Sequence, residues 1–474
     1  MGRKKNRKPL LENVEFFDLA DKGKAVGRAE EQIVFVSGPI PGDVADVQVF
    51  KKSKSFMEGF VTEYKKRSDD LIDAYCEHFG VCGGCKWQHM SYETELFYKN
   101  KRAVDAITRI GKVEVADWKP IFAAPNTVNY RNKLEFTFSD KRWLTPDEIQ
   151  NKDEIENKNG LGFHLPGKFD KVVQIEKCHL QADFTNQLRN FIYNYALENN
   201  LSFYNFHEHE GELRNLIVRN DRKGNWMIIL AITDLNEKTT ALLEIIRDTF
   251  PQITSLQYVI NTKKNDSLND LEPVVFNGKD ALYETFDSKN GPIKFKISSK
   301  SFFQTNPEQA ENLYRLVYDY VNPNENQVVY DLYTGIGSIA LFMAKALKHI
   351  VGIEYVEEAI ADAEINMELN DIENASFYAG DMKDVFNEVL IKKHGLPDVV
   401  ITDPPRAGMH EDVVKTIMKA NPKKIVYVSC NPATQARDIA WMSDQYNVLI
   451  SQAVDMFPRT SHVENIVVLE SKND

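Results

Sequence analysis

The sequence predicts an α/β protein whose carboxyl-terminal part is a doubly wound, largely parallel sheet, preceded by an α+β region and a small amino-terminal β-barrel. Three observations predict it. From about residue 293 the chain reads strand, glycine loop, helix, strand, helix, strand. Cys430 follows the apolar run 424–429 and precedes Asn431-Pro432, so its thiol stands at a strand's carboxyl end, where open α/β sheets place their ligands. The first 67 residues hold short alternating stretches, 32–36 and 44–49, punctuated by Gly23, Gly27, Gly38, Pro39, Pro41 and Gly42, as in a small barrel.

Taken in order, 474 residues exceed one ordinary core and predict two or three domains. With 43% hydrophobic and 27% charged residues the chain has the make-up of a globular protein and needs no disordered class. A net charge of −12 argues against broad attraction to nucleic acid, which depends on neutralising phosphates, but leaves room for local basic faces. Such faces are the arm 3–8, Lys51, Lys52 and Lys54, and Lys65, Lys66 and Arg67. No apolar stretch follows the basic start and no run approaches the ~20 apolar residues of a membrane helix, so neither a signal peptide nor a membrane contact is expected and the cytoplasm is. A helical pattern covers 92–110. Strands such as 133–138 mix with helices between about 128 and 290, with a polar insertion at 144–159 that reads as an exposed loop. No internal repeat is present. In the last part, 328–332 forms the first strand, Gly335 and Gly337 the turn, 339–347 the helix, and 350–353 the next strand, ending at Glu354.

Several residues in this frame carry chemistry. An acidic residue after the second strand, Glu354, is the expected partner of a ribose hydroxyl pair. A G-x-G loop is weak evidence and suits a nicotinamide dehydrogenase equally. Two features lean toward S-adenosylmethionine: Asp331, an acid at the strand end suited to an amino group rather than a pyrophosphate, and Asp403-Pro404-Pro405, whose prolines stiffen a turn that aims a carboxylate. Free cysteine is among the most buried residue types, so Cys430 alone would read as core; beside these motifs it reads as a nucleophile. Cys76, Cys82 and Cys85 are spaced C-x5-C-x2-C around Gly83-Gly84, and Cys178 lies far along the chain. In a reducing compartment four thiols point to metal, and the spacing leaves zinc and an iron–sulfur cluster both open.

On these residues the sequence resembles the RNA uracil-5-methyltransferase family, and within it the branch acting on 23S ribosomal RNA. The resemblance runs over nearly the whole chain: 23–28 through 39–43, Cys82-Gly83-Gly84-Cys85-Lys86-Trp87-Gln88-His89, Ser301-Phe302-Phe303-Gln304-Thr305-Asn306, the glycine loop, Asp403-Pro404-Pro405-Arg406, Ser429-Cys430-Asn431-Pro432 and Ser461-His462-Val463-Glu464-Asn465 stand in family order. It implies a Rossmann-like methyltransferase domain over 293–474, an OB-like TRAM barrel over 1–67 that binds RNA, and a central α+β domain over 68–292 in which a helix near 92–125 packs on the catalytic part. It implies Cys430 as nucleophile and Glu464 as base. Gln304, Tyr333, Glu354 and Asp403 would bind S-adenosylmethionine, with Asp381 at the adenine. Cys76, Cys82, Cys85 and Cys178 would hold a [4Fe-4S] cluster; because these residues lie outside the catalytic motifs and methyl transfer needs no redox partner, the cluster is expected to be a structural brace for an RNA-binding surface. Thr334 stands where many relatives carry Cys and Ser338 where some carry Asn, and the insertion 144–159 is longer than usual.

The implied partner is RNA, 23S ribosomal RNA first, presenting a flipped or unpaired uridine; no protein partner is expected. Phe302, Phe303, Tyr130 and Arg131 are candidates for stacking on bases. The alternatives are a transfer RNA uracil-5-methyltransferase and a non-catalytic RNA-binding or ribosome-assembly factor on the same fold.

Overall fold

A closed five-stranded barrel, a seven-stranded sheet, a two-stranded hairpin and an eight-stranded sheet make up the computed structural model, which describes residues 8–150, 155, 157–268 and 270–472. The basic arm at 3–7 and part of the 144–159 insertion lie outside the described residues.

The barrel is built from Leu10–Leu19, Ala25–Ala29, Gln32–Val36, Val44–Lys52 and Phe56–Lys66, and closes where the first strand pairs with the fourth. Alternation fills it: Val14, Phe16, Val34, Val36, Val47 and Met57 point inward, and Trp87 and Met90 from the cysteine-rich segment plug the same core. At Gly59 a Cβ would lie 2.4 Å from a Val47 methyl carbon, so only glycine lets these strands approach.

The predicted helix appears as Tyr92–Ala106, capped by Ser91, whose hydroxyl accepts from the Thr94 amide, and runs on as one π-helical turn at Ile107–Gly111. Its inner face carries charge. Lys99, fully buried, lies 2.7 Å from both Glu95 and Asp455, and also donates to the Phe457 carbonyl at 3.1 Å. Removing one member of such a buried set costs about 3–5 kcal/mol, because the charge left behind has no partner. The set ties this helix to the loop that follows Tyr446–Val454. Strand Val115–Trp118 then joins the edge of the eight-stranded sheet, parallel to that same strand.

In the seven-stranded sheet Trp226–Ile232, Leu213–Asn220 and Lys133–Ser139 are central. Helices Phe184–Glu198 and Glu237–Thr249 cover one face through Leu188, Ile192, Leu242 and Ile246. The other face meets the hairpin Ala281–Ser288 and Gly291–Ser298 through Ile217, Ile229, Phe286 and Phe295, in a core shared with the carboxyl-terminal part.

The eight-stranded sheet has the order Ala375–Ala379, His349–Glu354, Val328–Leu332, Val399–Thr402, Lys424–Ser429, Glu464–Ser471, Tyr446–Val454, Val115–Trp118. The first five are parallel, and the sequence order reverses between Val328–Leu332 and Val399–Thr402. That switch point opens a crevice at the strands' carboxyl ends. Among the described residues no helix is long and apolar enough to cross a membrane.

Candidate active site

Asp331, Asp403, Cys430 and Glu464 converge at that crevice from four neighbouring strands. Strands Lys424–Ser429 and Glu464–Ser471 run antiparallel with Ser429 opposite Asn465, so one further step sets Cys430 opposite Glu464. Cross-strand neighbours of this kind stand ~5 Å apart at Cβ. Side chains lock the turn. Gln435, at the base of helix Pro432–Met442, donates to the carbonyls of Tyr427 and Asn465 at 2.9 Å each and accepts from the Asn465 amide at 2.8 Å. Asn431 donates to the Arg406 carbonyl at 2.9 Å, fastening the cysteine turn to the Asp403-Pro404-Pro405-Arg406 turn.

The electrostatics follow from crowding acids in a dry place. Burial pushes the Cys430 thiol up to about 11; Glu464 and Asp403 add to the rise and Arg406 opposes it. Burial lifts Glu464 to about 8, with Asp403 adding and Arg406 again opposing. Burial also raises Asp403 to about 7, its neighbour Asp331 contributing, and Asp331 to about 7 despite the Thr334 hydroxyl that donates to it at 2.6 Å. One Asp331 carboxylate oxygen is buried with no partner. A site with this many suppressed anions is built for a cationic guest.

The glycine loop follows Asp331. Tyr333 takes a left-handed backbone, φ 65°, an uncommon conformation for a non-glycine residue and one that clusters at functional sites. Gly337, φ 76°, opens helix Ser338–Ala344, and a Cβ there would come 2.9 Å from the Phe377 ring. Glu354 sits across from the loop: its carboxylate accepts from the Gly335 amide at 3.1 Å and from the Tyr355 and Val356 amides at 2.8 and 3.1 Å. Asp381 caps the short helix Met382–Val385 through the Lys383 amide and lies partly exposed near Tyr333. Gln304 lies in the segment after the hairpin, its carbonyl accepting from Asn132 at 3.1 Å.

A sequence model described as tRNA (Uracil-5-)-methyltransferase matches residues 271–472. A Bacteroides thetaiotaomicron protein named an uncharacterized RNA methyltransferase is 49% identical over 95% of this chain and 100% of its own length. This chain belongs to the RNA uracil-5-methyltransferase family. It is an S-adenosylmethionine-dependent RNA methyltransferase. A Chlorobaculum tepidum relative of the same description is 38% identical over 98% of this chain and 97% of its own. The crystal structure of the Pyrococcus abyssi tRNA (uracil-54, C5)-methyltransferase in complex with S-adenosyl-L-homocysteine superposes with a TM-score of 0.73 at 26% identity, covering 96% of this chain and 100% of that one.

Two of the methyltransferase's expected stacking residues are corrected by the structure. Phe303 packs in the core against Phe286 and Phe295, and Tyr130 is buried with its hydroxyl donating to the Pro458 carbonyl at 2.9 Å. Neither can meet a base. Phe302, by contrast, is 72% exposed. Arg131 lies beside the Phe457 ring, 5.6 Å from its centre. Sequence reasoning passed over Arg406 as a functional residue, although it closes the quoted Asp-Pro-Pro-Arg turn; its guanidinium stands 2.9 Å from the His462 imidazole and faces both Cys430 and Glu464.

The four remaining cysteines also gather. Burial lifts the Cys85 thiol to about 12, and its neighbours Cys178, Cys82 and Cys76 add to the rise. Burial raises the Cys178 thiol as well, and Cys82 and Cys76 add to it. All four are free thiols. Among the described residues no three His, Cys, Asp or Glu side chains close around a single metal ion.

The buried carboxylates predict a pH signature. Their folded pKa values are raised, so Asp331 and Asp403 hold protons in the free enzyme below about 7. A sulfonium and ammonium ligand held against them would require them ionised. Affinity for S-adenosylmethionine is therefore expected to fall below pH 7 by up to about tenfold per pH unit for each of the two carboxylates and to level off above it, with binding releasing protons. Titration calorimetry across ~pH 5.5–8 checks this, and a flat profile would contradict it.

Proposed function

We propose that the protein methylates C5 of a specific uridine in 23S ribosomal RNA, with Cys430 as nucleophile and Glu464 as base. The observation that carries the reading is the register placing Cys430 opposite Glu464 at the crevice that Asp331 and Asp403 line.

Uracil C5 is a poor nucleophile on its own. The Cys430 thiolate adds to C6, forming a carbon–sulfur bond and pushing electrons into an enolate across C4 and C5. C5 then attacks the methyl group of the sulfonium, and S-adenosylhomocysteine leaves with the bonding pair. Glu464 takes the C5 proton, the ring electrons re-form the C5–C6 double bond, and the carbon–sulfur bond breaks to return the thiolate. A carboxyl raised to about 8 can accept and release a proton near neutrality. The thiol, held at about 11 by burial even with Arg406 opposing the rise, ionises with help from the donor's positive charge.

Gln304, Tyr333, Glu354 and Asp403 would hold the donor, Glu354 at the ribose hydroxyls and Asp381 at the adenine. Asp331, with an unpartnered oxygen, suits its ammonium. Phe302, projecting into solvent beside Gln304, would stack on a base, and the barrel over 1–67, TRAM-like, would add electrostatic contact to RNA. The central region over 68–292 and the catalytic domain over 293–474 would form the remaining walls, in the cytoplasm where the RNA is.

Cys76, Cys82, Cys85 and Cys178 would hold a [4Fe-4S] cluster. Four crowded thiols cannot ionise together without cations among them, and a cluster spreads its ligands over separate irons where zinc gathers four sulfurs at about 2.3 Å from one ion. When bound it would supply a covalent brace between 76–85 and the Cys178 region. The Arg459 carbonyl accepts from the Lys86 and Trp87 amides at 2.7 and 3.2 Å, so that brace would also steady the loop ahead of Glu464. Anaerobically purified protein is expected to carry about four irons and four sulfides per chain, and Cys85→Ser to lose them together with RNA affinity. Stoichiometric zinc instead would overturn the assignment.

A transfer RNA substrate is the second reading, favoured by the likeness to the Pyrococcus abyssi enzyme. Labelled S-adenosylmethionine with bare 23S ribosomal RNA or bulk transfer RNA, followed by digestion to nucleosides, separates the two. Label in 5-methyluridine from ribosomal RNA supports the first reading. Label only from transfer RNA moves the substrate and keeps the chemistry. No label with either, from donor-loaded protein, leaves a binding factor.

A further inference from the structure

A cavity of about 300 Å³ lies between the inner face of the seven-stranded sheet and the segment leading into Gln304. Ile217 and Ile229, adjacent across two strands, form an apolar floor, and Leu268 and Pro273 face it from the loop beyond Ile253–Ile260. The polar groups are unusual. Lys133 and Arg219 are register partners on neighbouring strands, two cations side by side, and Glu135 follows on the same face as Lys133.

Arg219 is 6% exposed, donates to the Ser298 and Ser301 carbonyls at 3.2 and 2.8 Å, and has a buried Nε without a partner. Among the described residues the side chains of Lys133 and Glu135 have no ion-pair partner. The other charges on the wall are satisfied: Asp266 by Arg214 at 2.9 Å, and Lys300 by Glu272. Glu135, exposed at the mouth, offsets the charge of both Lys133 and Arg219 without forming an ion pair with either, so among the described residues the Lys133 ammonium, the Arg219 Nε and the Glu135 carboxylate stand without hydrogen-bond partners around a half-apolar hollow and can orient a ligand. Lys300, on the rim, is two residues from the exposed Phe302, at most ~7 Å of chain.

We propose that this cavity is a second nucleobase pocket, which takes an unstacked guanine from the strand that delivers the target uridine. The inference rests on the RNA-methylation reading above. A phosphate would be repelled by Glu135 and would leave the apolar floor uncovered. A base uses both, its faces against Ile217, Ile229, Leu268 and Pro273, its edge on the charges. Guanine offers the adjacent acceptors O6 and N7 to a cation pair and N–H donors to a carboxylate. Holding a neighbour out of the stack would also help pull the uridine out, since unstacking costs a few kcal/mol per base.

The test uses the full-length protein and a short RNA hairpin carrying the uridine that is methylated in the labelling assay. A guanine is placed in turn at each position flanking the uridine, then exchanged for inosine, which lacks the 2-amino group, or 7-deazaguanine, which lacks N7. At one position each exchange is expected to weaken binding by about tenfold for the unaltered protein. The inosine loss should vanish in Glu135→Gln and the 7-deazaguanine loss in Lys133→Met, while both variants keep normal S-adenosylmethionine affinity. Variants that weaken every hairpin equally would mean a phosphate or general electrostatic contact, and variants without effect an idle cavity; either overturns the proposal. Coupling is read in binding and methylation separately, so a failure of the enzymatic reading is distinguishable from a failure of this one.

Discussion

Cys430→Ser is expected to abolish methyl transfer, by more than about a thousandfold, while leaving affinity for both S-adenosylmethionine and RNA within about twofold. Serine is nearly isosteric, and the turn is held by Asn431, Thr434 and Gln435 rather than by the thiol, so the fold has no reason to change. What would be lost is the proposed nucleophile. A hydroxyl buried among Asp403 and Glu464 ionises far less readily than a thiol already raised to about 11, and an alkoxide is a poorer leaving group in the last step. Single-turnover methylation with bound donor measures the loss. Methylation at the normal rate would remove Cys430 from the mechanism and leave only a scaffold reading for the site.

Glu464→Gln is expected to stop the reaction one step later. Addition by Cys430 and methyl transfer need no base, so both proceed; the C5 proton then has no acceptor, and the sulfur stays bonded to C6. RNA joined to protein through Cys430 should accumulate to about one equivalent and survive denaturing electrophoresis, with the methyl label in the adduct. Turnover should fall by at least about a hundredfold. The glutamine amide also cannot take the charge that Asp403 and burial oppose at this position, so the variant is expected to fold at least as well as the parent. An inactive variant without adduct would place Glu464 before or during addition rather than after it.

Much of the fold was legible because periodicity is local. Strands at 32–36 and 328–332 appear within those bounds, and the helix predicted over 92–110 differs only in ending as a π-turn. The site was legible where a motif names its own neighbours: Asp403 behind two prolines, Cys430 between a strand and Asn431-Pro432. Exposure was not. Phe302 and Phe303 are adjacent and chemically identical, yet one projects into solvent and the other packs on Phe286, a choice made by the hairpin 281–298 and invisible in the pair itself. Arg406 was passed over for the same reason, since its value lies in facing Cys430 and Glu464 from the turn after strand Val399–Thr402.

By itself the sequence determined the family, the donor and the strand–loop–helix frame, and it singled out Cys430 and Glu464 as the residues proposed for nucleophile and base, because each rests on residue types at short spacing. Only the tertiary structure decided how they act together. It set Cys430 opposite Glu464, crowded Asp331 and Asp403 until both hold protons near 7, threaded the buried Lys99 between Glu95 and Asp455, and gathered Lys133, Arg219 and Glu135 around a cavity. Charge and burial belong to pairs of residues distant in the chain, and their energies exist only once those residues have been brought together.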